Sequence, residues 1–476
     1  MQLNTNRSSV SIKVVMMLFT VVIGFTCLPI NVPIAAAADT ITLTKGTTYQ
    51  AIDGFGAAAN KPVYDLQHNM STVNQGAILD KLFLNSGSNA GLTMIRWEIN
   101  PFKLSEDPSG IEISYCGWNN CTEDWSTDSH QRWFADQALS RYSAMQFYAV
   151  PWSPPSWMKD TATVKGGHLL PARYTDYANY VARWVQKYRG DFGYNVKWLS
   201  IQNEPDYENP LWATARYYNA EMDSIIGNVD SALTSKGIRS QVKLTSPEAT
   251  SENVAMNFLN NMPTNKSLVD YVAYHNYGND NSTLYAETKP KLMTEYNFKD
   301  ETNNLWNPGN VTYDNQQAID LAVRIHRALT TGGSNAAKGF LYWWSVGSNE
   351  SLAQQLINLD TSGGTYATSK VLYAMGNFSR VMRPGYVRIQ TASSNPSLLV
   401  VATKINSTSK AQLVVINTSS SDITATVSGF STSSTAASKL KTSATDNLTN
   451  MTDVTLLGGS FTQTFSAKSV YSFSEK

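Results

Sequence analysis

Cysteine is scarce in this chain, with three among 476 residues: Cys27, Cys116 and Cys121. A fold held mainly by disulfides is excluded, and two cysteines with no histidine nearby make half of a zinc site at best. Net charge is missing as well, because 37 basic residues balance 37 acidic ones. No overall field draws the protein to nucleic acid or to an anionic membrane, which leaves a neutral polymer as the more natural partner. Past the first forty residues there is no apolar run long enough to read as a membrane span. Also absent are a Gly-x-Ser-x-Gly elbow, a His-Glu-x-x-His helix, a phosphate loop and a dinucleotide fingerprint, and with them the chemistries those motifs serve. The expectation is a monomer that uses no cofactor and no metal.

At the N-terminus, Arg7 and Lys13 precede or open an apolar run over 14–30, and a run of four alanines ends at Ala38. This is the pattern of a secretory signal peptide, residues 1–38, cut after Ala38. A membrane anchor is the competing reading, but the run is short and no stop-transfer charges follow. The mature protein is expected to be extracellular. Export would remove Cys27 and leave Cys116 and Cys121 in an oxidising compartment, either as a small disulfide or as two free thiols.

The chain is 42% hydrophobic and 11% aromatic, enough for a large core and two domains. Over 51–383, short apolar runs alternate with amphipathic stretches, the rhythm of repeated βα units. Eight strands are expected near 52–55, 92–97, 146–151, 197–203, 242–247, 271–275, 291–295 and 339–344. Between them, Tyr174, Tyr177, Ala178, Val181, Val185 and Tyr188 share a helix face, as do Ala318, Leu321, Ala322, Ile325 and Leu329. Eight such units close into a (β/α)8 barrel of the TIM type. From 384 to 476 the composition turns to Ser and Thr with alternating apolar positions, which predicts an antiparallel β-sandwich packed at the barrel's side. Residues 39–50 alternate in the same way and are expected to add a strand to it. That sandwich needs no ligand to explain its pattern and is read as scaffold.

Two glutamates stand where a barrel of this kind keeps its chemistry, at the ends of strands running into loops. Glu204 lies in Ser200-Ile-Gln-Asn-Glu-Pro-Asp-Tyr207 and Glu295 in Met293-Thr-Glu-Tyr296. Two carboxyl groups converging at one mouth can cut a glycosidic bond, Glu204 as general acid and base and Glu295 as nucleophile. The bland alternative for Glu204 is a surface Asn-Glu-Pro turn. Arg96, at the end of another strand, requires an acceptor if it is buried. An ion pair with Glu295 would keep that carboxylate charged, whereas a structural pair with Glu98 or Glu106 is the alternative. Asn203 is placed to donate to a sugar 2-hydroxyl. Trp152, Trp157, His275, Tyr277, Trp343 and Trp344 occupy strand-end positions suited to holding a sugar, although each also reads as packing. Trp152 and Trp157 bracket a proline-rich loop expected to be rigid and non-helical.

Taken together, these strings resemble glycoside hydrolase family 30, with Trp152-Ser-Pro-Pro-Ser-Trp157, Leu341-Tyr-Trp-Trp344, Val381-Met-Arg-Pro-Gly-Tyr-Val-Arg-Ile389 and Gly54-Phe-Gly56 completing the set. The resemblance covers essentially the whole mature chain and is greatest to the bacterial xylanase and glucuronoxylanase branch. It implies a barrel with a sandwich built from both chain ends, and a retaining double displacement with Glu204 as acid/base and Glu295 as nucleophile. Glucuronoxylan-specific members carry an arginine just past the eighth strand; here Trp343-Trp-Ser-Val-Gly-Ser-Asn-Glu350 has no basic residue. The expected function is a secreted endo-β-1,4-xylanase, with a β-1,6-galactanase, a β-1,6-glucanase or a glucosylceramidase-like glycosidase as alternatives within the family. A non-catalytic carbohydrate-binding protein is the rival from another class.

Overall fold

The computed structural model describes residues 38–120, 122–278, 282–298, 311–348 and 354–476. The signal-peptide reading for 1–38 falls outside the described residues except at Ala38, and Cys121 and Glu350 also fall outside them. Cys116 is disulfide-bonded, so it is not a free thiol. Among the described residues no helix is long and apolar enough to cross a membrane.

The chain enters as β1 (Asp39–Ala51) and then builds a parallel sheet: β2 (Gly54–Ala59), β3 (Met94–Ile99), β4 (Gln146–Pro151), β5 (Val196–Ser200), β6 (Lys243–Ala249), β7 (Tyr271–His275), β8 (Lys291–Glu295) and β9 (Ala337–Gly347). These eight, β2 to β9, pair in chain order, and β9 pairs with both β8 and β2 to close the barrel. Two further strands, β10 (Gln355–Asp360) and β11 (Thr365–Thr368), extend the sheet from β9 and were not expected. The helices are α1 (Pro62–Asn69), α2 (Thr72–Phe83), α3 (Ser129–Arg141), α4 (Tyr174–Gly190), α5 (Asn219–Ser235), α6 (Glu252–Asn260), α7 (Val311–Thr330) and α8 (Lys370–Ser379).

Alternation along the strands divides the interior into two cores. Ile95, Trp97 and Ile99 of β3 point out to the helices, where Trp97 stacks on Phe147 at 4.2 Å and meets Tyr188 edge-on at 5.3 Å. Met94 points inward with Tyr148, Val150, Trp198, Ala273, Leu292 and Leu341. Two residues on from Met94, Arg96 is therefore also inward, and this parity aims it at the barrel mouth. The helical spacing holds too: Tyr177, Ala178, Val181, Val185 and Tyr188 of α4 are buried, as are Ala318, Leu321, Ala322, Ile325 and Leu329 of α7.

The second sheet runs β17 (Thr449–Thr455), β16 (Ala436–Thr442), β19 (Ser469–Glu475), β14 (Ala411–Asn417), β13 (Leu398–Lys404), β12 (Val387–Ser393), β1, β15 (Ile423–Ser428) and β18 (Ser460–Phe465). Although β18 and β19 are far apart in that order, Phe461 and Phe473 approach to 5.0 Å and Phe465 and Tyr471 to 5.3 Å. The sheet thus folds over itself into a sandwich around an apolar centre. It is not wholly antiparallel as expected: β1 pairs antiparallel with β12 but parallel with β15. The N-terminal strand inserts between two C-terminal ones, and this insertion ties the chain ends together. Asn377 of α8 donates to Ser472 at 2.7 Å, and His326 of α7 contacts the Val400 carbonyl at 3.0 Å, fastening sandwich to barrel.

Closure depends on β2 lying close to β3. A Cβ added at Gly56 would stand 2.0 Å from the Met94 carbonyl oxygen, and strand backbone cannot retreat as a flexible side chain does. Gly56→Ala is expected to destabilise the protein by about 1–3 kcal/mol, read as a lowered unfolding midpoint in calorimetry. An unchanged midpoint would contradict this account of closure.

Candidate active site

The residues at the barrel mouth converge on Arg96, whose side chain has no exposed surface. Its Nε and Nη2 donate to Glu248 Oε1 at 3.1 and 2.8 Å, Nη1 donates to Glu295 Oε2 at 2.6 Å, and Nη2 donates to Asn203 Oδ1 at 2.6 Å. Burial alone would lower the Arg96 pKa, but Glu248 and Glu295 outweigh it and hold the guanidinium charged. The expected pairing with Glu295 is present; the alternative pairing with Glu98 or Glu106 is not.

Glu204 accepts from His275 Nδ1 at 2.9 Å and makes no other side-chain hydrogen bond among the described residues. Glu295 accepts on both oxygens, from Arg96 and from the Tyr277 hydroxyl at 2.9 Å. One carboxylate oxygen of each glutamate and a ring nitrogen of His275 all lie within 4.8 Å of one another. That spacing matches a metal site, but the chemistry does not, since a cation there would meet Arg96 and a protonated imidazole. Burial would lower His275, yet Glu295, Glu204 and Glu248 together raise it to about 10. Glu295 differs from expectation: burial raises its pKa and Glu204 adds to this, with His275 and Arg96 opposing. The reason is that burial of the carboxylate outweighs the two cations beside it.

Glu248 is the residue that strand-end reasoning overlooked. It is fully buried, it accepts from the Tyr148 hydroxyl at 2.9 Å as well as from Arg96, and its Oε1 lies 3.6 Å from His275 Nε2. That last distance is too long for a hydrogen bond but short for an ionic contact. Arg96 outweighs burial and holds Glu248 below the ordinary carboxylate value. The rule that singled out Glu204 and Glu295 applies equally to Ser246-Pro-Glu-Ala249, the end of β6.

Local backbone irregularity aims these side chains. In the β6–β7 ladder Pro247 pairs with Ala273 and Ala249 with Tyr274, so Glu248 is skipped, with φ at 59°. In the β7–β8 ladder Tyr274 pairs with Met293 and His275 with Glu295, so Thr294 is skipped. Bulges of this kind re-aim side chains beside functional sites. Glu204 has φ of 44°, and its N–H donates to the Glu248 carbonyl at 3.1 Å. Left-handed backbone at a non-glycine residue costs about 1–3 kcal/mol, and the hydrogen bonds around the cluster offset it.

Above the cluster lies a cleft of about 1540 Å³ lined by Trp152, Asn203, Glu204, Tyr277, Glu295, Trp343 and Trp344 among others. Trp152 lies 4.4 Å from the Arg96 guanidinium and 5.5 Å from Trp343, which stacks on Trp344 at 5.1 Å. Arg96 and His275 sit beneath the cleft floor, so they act on a bound molecule through their neighbours and not by direct contact. Trp157 does not line the cleft; it packs 5.1 Å from the Arg173 guanidinium, within a single 3-10 turn at Ser156–Met158 where no helical structure was expected. On another flank, Glu98 accepts from Asn60 at 2.7 Å, and burial together with Glu112 raises its pKa well above the ordinary value.

Fold and site together define a glycoside hydrolase. The model of glycosyl hydrolase family 59 matches residues 52–375, and by that match the chain belongs to this family of barrel glycosidases. Individual relatives carry the number 30. The chain is 27% identical over 367 residues to glucuronoxylanase XynC of Bacillus subtilis, covering 73% of this chain and 78% of that one. It is 25% identical over 430 residues to the endo-1,6-β-D-glucanase neg1 of Aspergillus fumigatus, covering 82% and 83%. The family 30 subfamily 8 xylanase Xyn30A of Clostridium acetobutylicum superposes with a TM-score of 0.70 at 25% identity, over 92% of this chain and 99% of that one. The family 59 match ends inside α8 and rests on the barrel, whereas the Xyn30A likeness takes in the sandwich as well. The whole-chain likeness is thus to family 30, near its xylanase branch.

Glu248 generates the prediction for this site. With Glu204, Glu295 and Glu248 around it, the His275 ring should remain doubly protonated across neutral pH in the native protein, and Glu248→Gln should bring its titration down toward about 6.5, the free-imidazole value. Because the folded pKa is raised, the stability His275 contributes is complete below that value and is lost as pH rises through about 10. Nitrogen-15 NMR of the histidine rings reads both proteins; a native His275 that titrates near 6.5 would overturn the electrostatic account.

Proposed function

We propose that the protein is a secreted, retaining β-glycanase that cuts internal bonds of a plant cell-wall polysaccharide, with endo-β-1,4-xylanase the leading activity. The observation that carries this is the separation of the two carboxyl groups. Retaining enzymes hold theirs about 5–5.5 Å apart and inverting ones about 6.5–9.5 Å, to leave room for water. One oxygen of Glu204 and one of Glu295 lie within 4.8 Å of each other, which supports the retaining arrangement.

Glu295 attacks the anomeric carbon while Glu204 protonates the departing oxygen, leaving a glycosyl ester on Glu295. Glu204, now a carboxylate, then takes a proton from water as that water attacks the anomeric carbon, breaking its bond to Glu295 and releasing that residue as a carboxylate. The donors suit this division. Arg96 and Tyr277 hold both oxygens of Glu295, which orients it and favours its charged form. Glu204 has His275 alone and so keeps the freedom to exchange a proton. Asn203, anchored through its own N–H to the Pro151 carbonyl at 2.9 Å, presents its amide beside Glu204 for the sugar 2-hydroxyl.

Xylan is supported by the names of XynC and Xyn30A, and a β-1,6-glucan by that of neg1. Secretion is supported by the N-terminal sequence pattern, and a neutral backbone by the absence of a basic residue from Trp343 to Ser348. Glu204→Gln and Glu295→Gln should each lower kcat by about 10³-fold or more with the native fold kept, as read by circular dichroism. Proton NMR of native turnover on plain xylan, glucuronoxylan and β-1,6-glucan should show the β-anomer first. Near-normal hydrolysis by either variant, or the α-anomer first, would defeat the mechanism; cleavage of the β-1,6 polymer alone would defeat xylan as the substrate.

A further inference from the structure

The loop that leaves Glu204 carries an aromatic surface to which the chemistry above gives no task. Seven large apolar side chains are well exposed among the described residues, and two of them, Leu211 at 73% and Trp212 at 44%, line the cleft. Tyr207 lines it as well, its ring 6.4 Å from that of Trp212 and inclined by 31°. These side chains are not on a slack loop. Tyr207 N–H donates to the Glu204 carbonyl at 3.0 Å and Tyr217 N–H to the Pro205 carbonyl at 2.8 Å. Leu211 N–H donates to Asn209 Oδ1 at 2.8 Å, and Thr214 is gripped through its carbonyl by the buried Lys159 ammonium at 2.6 Å. A pinned loop that holds an indole in water, lining the same cleft as the carboxyl that protonates the leaving oxygen, is built for something that arrives with the substrate.

We infer that Trp212, with Tyr207 and Leu211 beside it, forms a binding site for the sugar ring on the leaving-group side of the bond, and that the occupant is an uncharged β-linked polysaccharide. The inference rests on the proposed role of Glu204, because that role makes the 205–212 loop the leaving-group flank. A sugar presents a face of C–H bonds that covers an indole and an edge of hydroxyls that stays hydrated. Tyr207 supplies a polar contact at the rim through its hydroxyl, which accepts from Asn209 Nδ2 at 3.0 Å and is held in place by it. A site for a ring beyond the cut means that the enzyme binds across the bond, as cleavage within a chain requires, and a terminal sugar with a small leaving group would leave it empty. A lipid leaving group is the other chemistry an apolar surface admits, and it would lack the hydroxyl edge that the polar rim serves.

Binding can be read without turnover. The full-length protein, its Trp212→Ala variant and its Trp212→Phe variant are run in native gels containing linear xylan, β-1,6-glucan or β-1,6-galactan, and in a gel with glucosylceramide dispersed in detergent. The native protein should be retarded by at least one of the three polymers, with its affinity for that polymer lowered about tenfold by Trp212→Ala and largely kept by Trp212→Phe. Equal retardation of native and Trp212→Ala proteins, retardation by no polymer, or retardation by the glycolipid alone would each overturn the inference. Retardation without hydrolysis would count against the hydrolase mechanism and leave the binding site standing, so the two failures are distinguishable.

Discussion

The mouth of the barrel is organised around the burial of one guanidinium. Arg96 has lost its water, and a charge in that position persists only where carboxylates and acceptors replace the lost hydration. Glu248 supplies one carboxylate, Glu295 another, and Asn203 the remaining acceptor. Satisfying Arg96 therefore draws together β3, the loop after β5, the bulged end of β6 and the bulged end of β8. Strain at Glu248 is tolerated because relaxing it would break its contact with Arg96, and strain at Glu204 because relaxing it would break its bond to His275.

The same burial explains how the protons are distributed. Arg96 and the protonated His275 carry two positive charges, and Glu204, Glu248 and Glu295 offer three carboxyl groups within their reach. Full ionisation would leave an excess negative charge in a dry site, which one proton removes. Glu248 and Glu295 each accept on both oxygens, while Glu204 has a single donor. Burial, with Glu204 adding to it, raises the pKa of Glu295 against the pull of His275 and Arg96. The count of donors on each carboxylate supports the division of labour in the proposed mechanism.

The barrel was legible because strand parity and helix spacing are local, repeated signals: the α4 and α7 faces and the order of the eight strands follow from them directly. Most of the cluster was legible too, since Glu204, Glu295, Arg96, Asn203 and Tyr277 sit at strand ends whose neighbours advertise them. What escaped is non-local. The parallel pairing of β1 with β15 depends on how the two chain ends meet, and β10 and β11 depend on an edge that only the closed barrel presents. Glu248 shares the strand-end position of Glu204 and Glu295, and only the bulge that aims it at Arg96 is not announced by any alternation pattern. Trp157 was assigned to the cleft from its loop alone, but the turn that contains it faces Arg173. The pKa of Glu295 was expected to be held down by Arg96, and it rises because burial, with Glu204 adding to it, outweighs that pairing.

The central claim is that Glu295 forms a bond to sugar while Glu204 moves the proton, and mass spectrometry of a trapped intermediate tests it most directly. A 2-deoxy-2-fluoro glycoside with an activated leaving group, in the sugar that the enzyme is found to cleave, should add one glycosyl unit to the protein. Digestion should then place that unit on the peptide containing Glu295. Turnover of natural substrate with no adduct, or an adduct on any other carboxylate, would contradict the account.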